Sequence, residues 1–181
     1  MKKLLAICLV CVLLTAAVQA NIVVEFSEVN LPNLTLLDGT TYFAPWGLAF
    51  EDTTYYAIDG RFPPAGDDYR GITTFSGPDN LMTVVFTGGT LWVIADWIII
   101  NSNSIYATAY DSFGNIVDAE FATGPNLSRG SLTLSGAADI AKITFHDSTG
   151  AIGVGRLEYI PEPATICLLS LGALSLIRRK K

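Results

Sequence analysis

Hydrophobic and polar residues alternate in short runs along the middle of the chain and do not recur at the spacing of a helix. In the clearest run, 104–110, small or aliphatic residues alternate with Tyr106, Thr108 and Tyr110. Alternation of this kind, in segments rich in β-branched and aromatic residues, is typical of β-strands. We predict nine or ten strands and no amphipathic helix after Ala20. The predicted strands include 22–27, 53–58, 81–87, 90–100, 104–110, 116–121, 131–135, 141–146 and 152–159.

Turn-forming residues separate these runs. Gly88 and Gly89 stand between two predicted strands and predict a tight turn. Residues 111–115 predict a hairpin turn, because aspartate, glycine and asparagine lie between two alternating runs. Residues 42–50 are aromatic but interrupted by proline and glycine, which favours a bend or an edge strand. Residues 59–71 are rich in glycine, proline and aspartate and predict a surface loop.

Short strands at intervals of about ten residues predict an all-β fold. The segment 21–160 has about 140 residues, the usual size of one domain and long enough to bury a core. We therefore predict a single β-sandwich domain at 21–160, with a barrel as the alternative. The most apolar run, 90–100, predicts a strand that is buried on both faces.

The first 20 residues have the layout of a secretory signal peptide. Lys2 and Lys3 precede an uncharged apolar stretch, and Val18 and Ala20 are small residues at the usual cleavage spacing. We predict a signal helix at 1–20 that is cut after Ala20. An uncleaved membrane anchor is one alternative, although the apolar stretch is shorter than the ~20 residues of a membrane span. A lipoprotein, modified at one of the two cysteines of this stretch, is another.

The C-terminal segment 161–181 combines three features in a fixed order. A Pro-Glu-Pro triplet is followed by 14 uncharged residues, 164–177, which as a helix would extend about 21 Å. Such a helix crosses a ~30 Å hydrocarbon core only with help from its flanks. The basic end supplies this help and keeps its side cytoplasmic, so that the domain faces outward. We predict a short transmembrane helix followed by a topology-setting basic tail, Arg178, Arg179, Lys180 and Lys181.

The segment between the two termini is strongly acidic. The chain has 17 acids and 11 bases; without Glu162, Lys2, Lys3 and the four C-terminal bases, 16 acids and 5 bases remain, a formal charge of −11. A surface with this charge repels nucleic acid, so no nucleic-acid partner is predicted. All three cysteines lie in the terminal segments, which excludes a disulfide or a cysteine-based metal site within the domain.

The C-terminal segment resembles the PEP-CTERM protein-sorting signal of bacteria that have exosortase and export polysaccharide. The resemblance rests on the triplet Pro161, Glu162 and Pro163, the apolar run and the basic end. It implies that the secretion machinery exports the chain, that the membrane holds it transiently, and that exosortase recognises the triplet and cuts near it. The implied destination is the cell surface or extracellular matrix of a Gram-negative-type bacterium.

The domain resembles the jelly-roll modules, similar to galactose-binding domains, that such sorted proteins carry. This resemblance implies a jelly-roll-like β-sandwich. In the last predicted strand, however, Gly155 and Arg156 stand where the family has an acidic pair, so its metal or ligand site is not carried over. The matching residues are Phe26, Glu28, Gly47, Phe50, Tyr110, Asp111, Gly114 and Asn115.

Few residues suggest a metal or catalytic site. Calcium is bound by loop carboxylates, but the acids of this chain lack an EF-hand spacing, and a solvated acidic surface is the alternative. No other cofactor is predicted. The lone histidine, His146, could act as a general base, but no nucleophile is marked by spacing, and we predict no catalytic residue. The calcium candidates are Glu28, Asp59, Asp67 and Asp68.

Exposed aromatic residues are the candidates for binding sugar. Trp46 and Tyr69 lie in interrupted segments, where their rings could stack on sugar rings; ordinary packing is the alternative. Trp92 and Trp97 are five residues apart in one predicted strand, so they point to opposite faces and at least one belongs to the core. We predict a non-enzymatic exported protein that binds carbohydrate in exopolysaccharide. A secreted matrix hydrolase with paired carboxylates and a purely structural surface protein are the alternatives.

Overall fold

Ten β-strands and a one-turn 3-10 helix, Ala44–Trp46, form the regular structure of the described residues. The computed structural model describes residues 21–26, 36–37, 39, 42–51, 55–58, 71–74, 81–100, 103–147 and 151–161, all within one compact unit, Asn21–Pro161. The strands are β1 (Ile22–Glu25), β2 (Leu36–Leu37), β3 (Leu48–Glu51), β4 (Tyr55–Ile58), β5 (Gly71–Thr74), β6 (Met82–Ile100), β7 (Ser104–Tyr110), β8 (Ile116–Thr123), β9 (Arg129–His146) and β10 (Ala151–Pro161).

The strands pair antiparallel along one path, β2-β4-β5-β10-β6-β9-β7-β8, with β1 beside β10 and β3 beside β6. The two long strands β6 and β9 lie side by side in the middle of this path. The first part of β6 pairs with β3, and the second part of β9 pairs with β7. The second part of β6 pairs with β10. We call the region where β6 and β9 pair with β3 and β7 the β7 half. The region where β6 pairs with β10 is the β10 half.

Gly88 and Gly89 lie inside β6, so the predicted turn at this position is wrong. Both residues have positive φ, 88° and 77°, which glycine adopts without steric strain. The pairing with β9 shifts across them, because Val85 pairs with Lys142 whereas Thr90 pairs with Ile140. The extra residues of β6 form a bulge that bends the strand and does not reverse the chain.

β9 is also one strand, whereas the sequence predicted two, 131–135 and 141–146. Its register shifts directly after that of β6, since Thr90 pairs with Ile140 but Trp92 pairs with Ser135. The extra residues of β9 therefore compensate those of β6, and the original register returns beyond the bend. Both strands thus pass together from the β7 half into the β10 half.

The bend explains why side chains of both halves of β6 reach the same core. Phe86 and Val93 are both buried although they are seven residues apart, an odd separation that places residues on opposite faces of a regular strand. Buried residues of both halves form one hydrophobic cluster. The Phe86 and Tyr159 ring centroids, 5.1 Å apart, and those of Phe26 and Phe50, 6.1 Å apart, join the halves. The fold is an all-β sandwich.

Several predicted elements are confirmed. The hairpin turn at 111–115 connects β7 and β8. Trp97 is buried, whereas Trp92 is only partly buried, as opposite faces require. The sequence did not predict β2 or β5. Residues 59–70 of the predicted loop lie outside the described residues.

The predicted terminal segments stay predictions, because residues 1–20 and 162–181 lie outside the described residues. The predicted cleavage residues Val18 and Ala20 and the basic tail are among them. Within the part of the chain that the structure describes, no helix is both long enough and apolar enough to cross a membrane. Pro161, the first residue of the predicted sorting triplet, is the last residue of β10.

Candidate functional site

Three rings lie side by side on the surface of the β7 half, at corresponding positions of neighbouring strands. Tyr106 of β7 pairs with Phe121 of β8 on one side and with His146 of β9 on the other. The Tyr106 and His146 ring centroids are 5.0 Å apart with an interplanar angle of 13°. The Tyr106 and Phe121 centroids are 6.2 Å apart with an angle of 23°. We call these three side chains the aromatic row.

The aromatic row points away from the core. Phe121 is 65% exposed and Tyr106 is 38% exposed, and His146 is half-buried. Because Ile105 and Ala107 on either side of Tyr106 are fully buried, strand alternation directs Tyr106 to solvent. A contiguous exposed apolar surface of this kind is a candidate interaction site.

Two further rows complete this surface. Two residues along β7 and β9, about 7 Å, separate one row from the next. In β8 a bulge makes the last step three residues, from Ala119 to Ile116. The middle row has small side chains, so the surface dips there: Ala119 is exposed, Thr108 is partly exposed and Thr144 is buried. We call the nine side chains the outer face: Phe121, Tyr106 and His146; then Ala119, Thr108 and Thr144; then Ile116, Tyr110 and Lys142.

The third row carries a positive charge. The ammonium Nζ of Lys142 lies 5.2 Å from the centroid of the Tyr110 ring, within the ~6 Å range of a cation–π interaction. Ile116, on the other side of Tyr110, is 65% exposed. An aromatic row and a mixed apolar and cationic row thus border the dip over Ala119 and Thr108.

Asp111 fixes the hairpin that carries two of the three strands of the outer face. Its Oδ1 accepts hydrogen bonds from the backbone N–H of Phe113 (2.8 Å) and of Asn115 (2.9 Å), and its Oδ2 accepts one from Asn115 Nδ2 (2.8 Å). Hydrogen bonds from Asn115, followed by those from Phe113 and Gly114, hold the pKa of Asp111 below its usual 3.8. The turn sets the register of β7 against β8 and so brings the rings of Tyr106 and Phe121 together.

A cluster of charged residues lies on the outer surface of the β10 half. Arg156 of β10 pairs with Glu25 of β1 and Asp96 of β6, and its guanidinium forms ion pairs with both carboxylates, at 3.9 Å and 3.5 Å. A third ion pair joins Arg156 to Glu158, which also accepts a hydrogen bond from Asn21 (2.8 Å). The guanidinium therefore links three strands by charge.

Trp46, predicted to stack on sugar, is partly exposed but lies apart from the outer face. It ends the 3-10 helix, 37% exposed, and its ring centroid is 6.5 Å from that of Tyr42 and 6.0 Å from that of Phe43. Its backbone carbonyl accepts a hydrogen bond from the hydroxyl of Tyr159. Trp46 and Tyr42 thus form a second, smaller exposed aromatic surface.

The other predicted site residues are outside the described part of the chain. These are Tyr69, the calcium candidates and the last two residues of the sorting triplet: Glu28, Asp59, Asp67, Asp68, Glu162 and Pro163. Among the described residues, no group of three or more histidine, cysteine, aspartate or glutamate side chains is arranged to hold a metal ion.

Sequence reasoning missed the aromatic row as a unit. The alternation at 104–110 placed Tyr106 opposite the small residues of β7, which was the available signal. Phe121 and His146 join it only through pairing with β8 and β9, and His146 lies 40 residues beyond Tyr106 along the chain. The positions of these two residues therefore depended on strand register.

The fold is similar to that of solved adhesin and carbohydrate-binding domains. The K1 cleaved adhesin domain of Lys-gingipain from Porphyromonas gingivalis W83 matches with a TM-score of 0.50 and 9% identity, over 79% of this chain and 99% of that one. The K2 cleaved adhesin domain gives 0.48 and 12%, over 77% and 99%. A family 29 carbohydrate-binding module from Piromyces equi gives 0.45 and 8%, over 77% and 89%.

At these identities the likeness concerns the fold alone, and of the three only the K1 domain reaches a TM-score of 0.50. Only the likeness to the K1 domain therefore bears on the architecture of this chain. Comparison with curated proteins gave no match.

A family comparison bears on the C-terminal segment. Residues 160–181 match the model of the PEP-CTERM protein-sorting motif, with the Pro-Glu-Pro triplet at its start and the basic residues at its end. The first residues of the match, Ile160 and Pro161, belong to β10. Residues 160–181 are therefore a PEP-CTERM protein-sorting motif, and the chain is an exported protein of the kind that exosortase sorts.

Proposed function

We propose that the chain is a non-enzymatic protein of the cell surface or extracellular matrix that binds carbohydrate of exported polysaccharide through the outer face. The aromatic row carries this proposal. Phe121, Tyr106 and His146 are held in contact by strand pairing, yet Phe121 and Tyr106 are exposed to solvent and His146 is partly exposed. Rings held in this way lose little side-chain freedom on binding, and they offer apolar surface to the C–H groups of a sugar.

The dip beside the aromatic row supports the same function. A sugar has hydroxyl groups at the edge of an apolar ring, so its site needs hydrogen-bonding groups next to an aromatic surface. Thr108 provides a partly exposed hydroxyl there, and Ala119 leaves room above the sheet. Tyr110 adds a second phenol on the opposite side of the dip.

Binding is tested by affinity gel electrophoresis of the full-length chain, purified in mild detergent, through gels that contain neutral or acidic polysaccharides. We expect at least one polymer to retard the wild-type chain. Phe121→Ala and Tyr106→Ala are expected to weaken retardation roughly tenfold, the effect of about 1.4 kcal/mol of lost contact. Unchanged melting temperatures would show that both variants fold.

Phe113→Ala is the matched control, because Phe113 is 89% exposed at the tip of the β7–β8 hairpin and is not part of the outer face. It should bind as the wild type does. The assignment of binding to the outer face would be overturned if Phe121→Ala left the retardation unchanged. It would also be overturned if Phe113→Ala reduced the retardation as much as Phe121→Ala does. Absence of retardation by every polymer would favour a purely structural surface protein.

Trp46 is a second proposed stacking position, together with Tyr69. Trp46 is 37% exposed beside the equally exposed Tyr42, and its ring is 6.5 Å from that of Tyr42. Trp46→Ala in the same gels shows whether the polymer contacts the surface of Trp46 and Tyr42 in addition to the outer face. A loss as large as that of Phe121→Ala means that both contact the polymer.

The N-terminal segment is proposed to be a signal peptide cut after Ala20, and the C-terminal segment a membrane anchor that exosortase removes. Mass spectrometry of the mature protein from a host with exosortase identifies both ends of the chain. We expect Glu162→Ala to leave the C-terminal segment attached, whereas Glu120→Ala, which changes an exposed carboxylate of β8, should mature normally. Normal maturation of Glu162→Ala would contradict the role proposed for this residue.

A calcium site at Glu28, Asp59, Asp67 and Asp68 is a separate proposal that rests on loop carboxylates alone. A site of this kind raises the melting temperature in calcium relative to EDTA, because the ion binds only the folded chain. Identical melting temperatures in the two conditions remove the proposal.

A further inference from the structure

We propose that the ligand of the outer face is an acidic polysaccharide, whose anionic groups are bound beside Lys142. This inference rests on the proposed function and specifies the chemical class of its ligand. It follows from the distribution of charge around the outer face.

The outer face contains no acidic residue, although the segment 21–160 has 16 acids and 5 bases. Of its nine side chains, Lys142 and His146 carry the basic groups, and none carries a carboxylate. Of the described acids nearest along the same strands, Asp139 lies three residues from Lys142 in β9, beside Gly89 in the bulge of β6. Asp118 pairs with Ala109 and Glu120 pairs with Ala107, which are fully buried residues on the opposite side of β7.

The other neighbouring acids are engaged or lie beyond this surface. Asp111 is occupied by the hydrogen bonds of its own turn, and Asp147 is buried. Asp118 accepts hydrogen bonds from the backbone N–H groups of Ala119 (2.9 Å) and Ser135 (2.7 Å). Glu51 lies two strands from Lys142 and is separated from it by β6. No carboxylate of the described residues shares the three rows with Lys142.

Lys142 is placed where it can meet an anion. Its ammonium lies over the Tyr110 ring at the border of the dip, and within the described residues it forms no ion pair. The ring orients the charge without neutralising it. A polymer that stacks on the aromatic row and crosses the dip would bring its next charged group to the third row, about 14 Å from the first.

The charge of the rest of the domain selects against other sites for such a ligand. A formal charge of −11 repels a polyanion wherever carboxylates are close. At physiological salt this repulsion is screened over about 8 Å, so a face without acids admits the polymer while the local contact with Lys142 persists. The same charge opposes docking of a second copy of the chain. The absence of acids from the outer face would not strengthen the binding of a neutral polysaccharide, because carboxylates do not repel it.

The test compares dextran, which is neutral, with polygalacturonate and dextran sulfate, which carry carboxylates and sulfates. Affinity electrophoresis of the full-length chain at 0.15 M salt is expected to show at least tenfold tighter binding to one of the acidic polymers. Their comparison identifies which anion is preferred. Lys142→Gln should remove most of this preference, and Lys142→Arg should retain it.

Glu120→Gln is the charge control, because it makes the chain less negative on the opposite side of β8. A specific contact predicts that Glu120→Gln leaves the preference unchanged. Equal binding of all three polymers, with loss of each in Phe121→Ala, would overturn the inference while leaving the proposed function intact. So would an acidic preference that Lys142→Gln does not alter. Sedimentation that shows a dimer dissociated by Phe121→Ala would identify the outer face as a self-association surface and overturn both.

Discussion

The indole of Trp97 packs directly on Gly130 of the neighbouring strand. The two residues are paired across β6 and β9, and a Cβ atom at Gly130 would lie 2.7 Å from Cζ2 and 3.1 Å from Cε2 of the indole. Trp97 is 5% exposed and belongs to the core. The absence of a side chain at Gly130 is therefore what allows the indole of Trp97 to lie against the backbone of β9.

Gly130→Ala is predicted to destabilise the fold by about 1–3 kcal/mol, because the added methyl group overpacks a rigid ring. Urea unfolding followed by tryptophan fluorescence measures the change. Thr133→Ala, at an exposed position of the same strand, is the control and should change stability by less than about 0.5 kcal/mol. If the two variants are equally stable, the indole has room to move and the packing argument fails.

Thr90 is predicted to hold the end of β10 to the bend of β6. Its hydroxyl is fully buried and lies 2.7 Å from the carbonyl oxygen of Ile160 and 3.0 Å from that of Trp92. Thr90→Val keeps the shape but removes the donor from two partly buried carbonyls, which should cost about 1 kcal/mol. Hydrogen exchange should accelerate at Thr90 and at the neighbouring amides of β10 and β6. Unaltered exchange would show that the strand end is held by other contacts.

Tyr159 is predicted to make the stability of the fold decrease at alkaline pH. Burial raises the pKa of its hydroxyl to about 12 from the usual 10.0. A raised pKa means that the folded state favours the neutral phenol. The resulting stability is present below pH 10 and is lost as the pH rises towards 12. We expect urea stability to fall over this interval in the wild type and less steeply in Tyr159→Phe.

Tyr42→Phe serves as the control for this pH dependence, since Tyr42 is 37% exposed. Its stability should follow the wild-type profile. Parallel profiles for the wild type and Tyr159→Phe would mean that Tyr159 is not the group responsible.

Arg156→Gln is predicted to destabilise the β10 half by about 1 kcal/mol, because it removes the cation that lies beside the carboxylates of Asp96 and Glu158. The effect should shrink in 0.5 M NaCl, which screens the repulsion between these partly exposed groups. Glu25→Gln should cost less, since its carboxylate is 3.9 Å from the guanidinium and about half exposed. A salt-independent loss in Arg156→Gln would point to lost packing of the side chain instead.

The sequence predicts a strand correctly where the alternation of residue types within that strand is sufficient. It fails where pairing with a neighbouring strand determines whether the chain continues or turns. The buried and exposed faces of β7 follow from alternation alone. Gly88 and Gly89 carry the same local signal as a hairpin turn. Whether the chain reverses there depends on β9, whose extra residues lie some 50 positions further on and accommodate the bend.

The same limit applies to the outer face. Tyr106 and Phe121 are related through a short hairpin, so a prediction of the turn at 111–115 comes close to their pairing. Lys142 and His146 arrive from a distant strand, and their register against β7 is fixed only by the packed core. Trp46 was recognised as exposed because proline and glycine flank it, a local property.

The last strand determines how close to the domain the chain can be cut without removing part of its core. β10 contributes Leu157 and Tyr159 to the core, and it ends at Pro161, where it pairs with Thr90. A cut before Tyr159 would remove a buried ring and a central part of the sheet, and the product would be prone to unfolding and degradation. A cut after Pro161 would leave every described residue of the hydrophobic core in place, together with the pairing of Pro161 and Thr90, so this end of the sheet would stay intact.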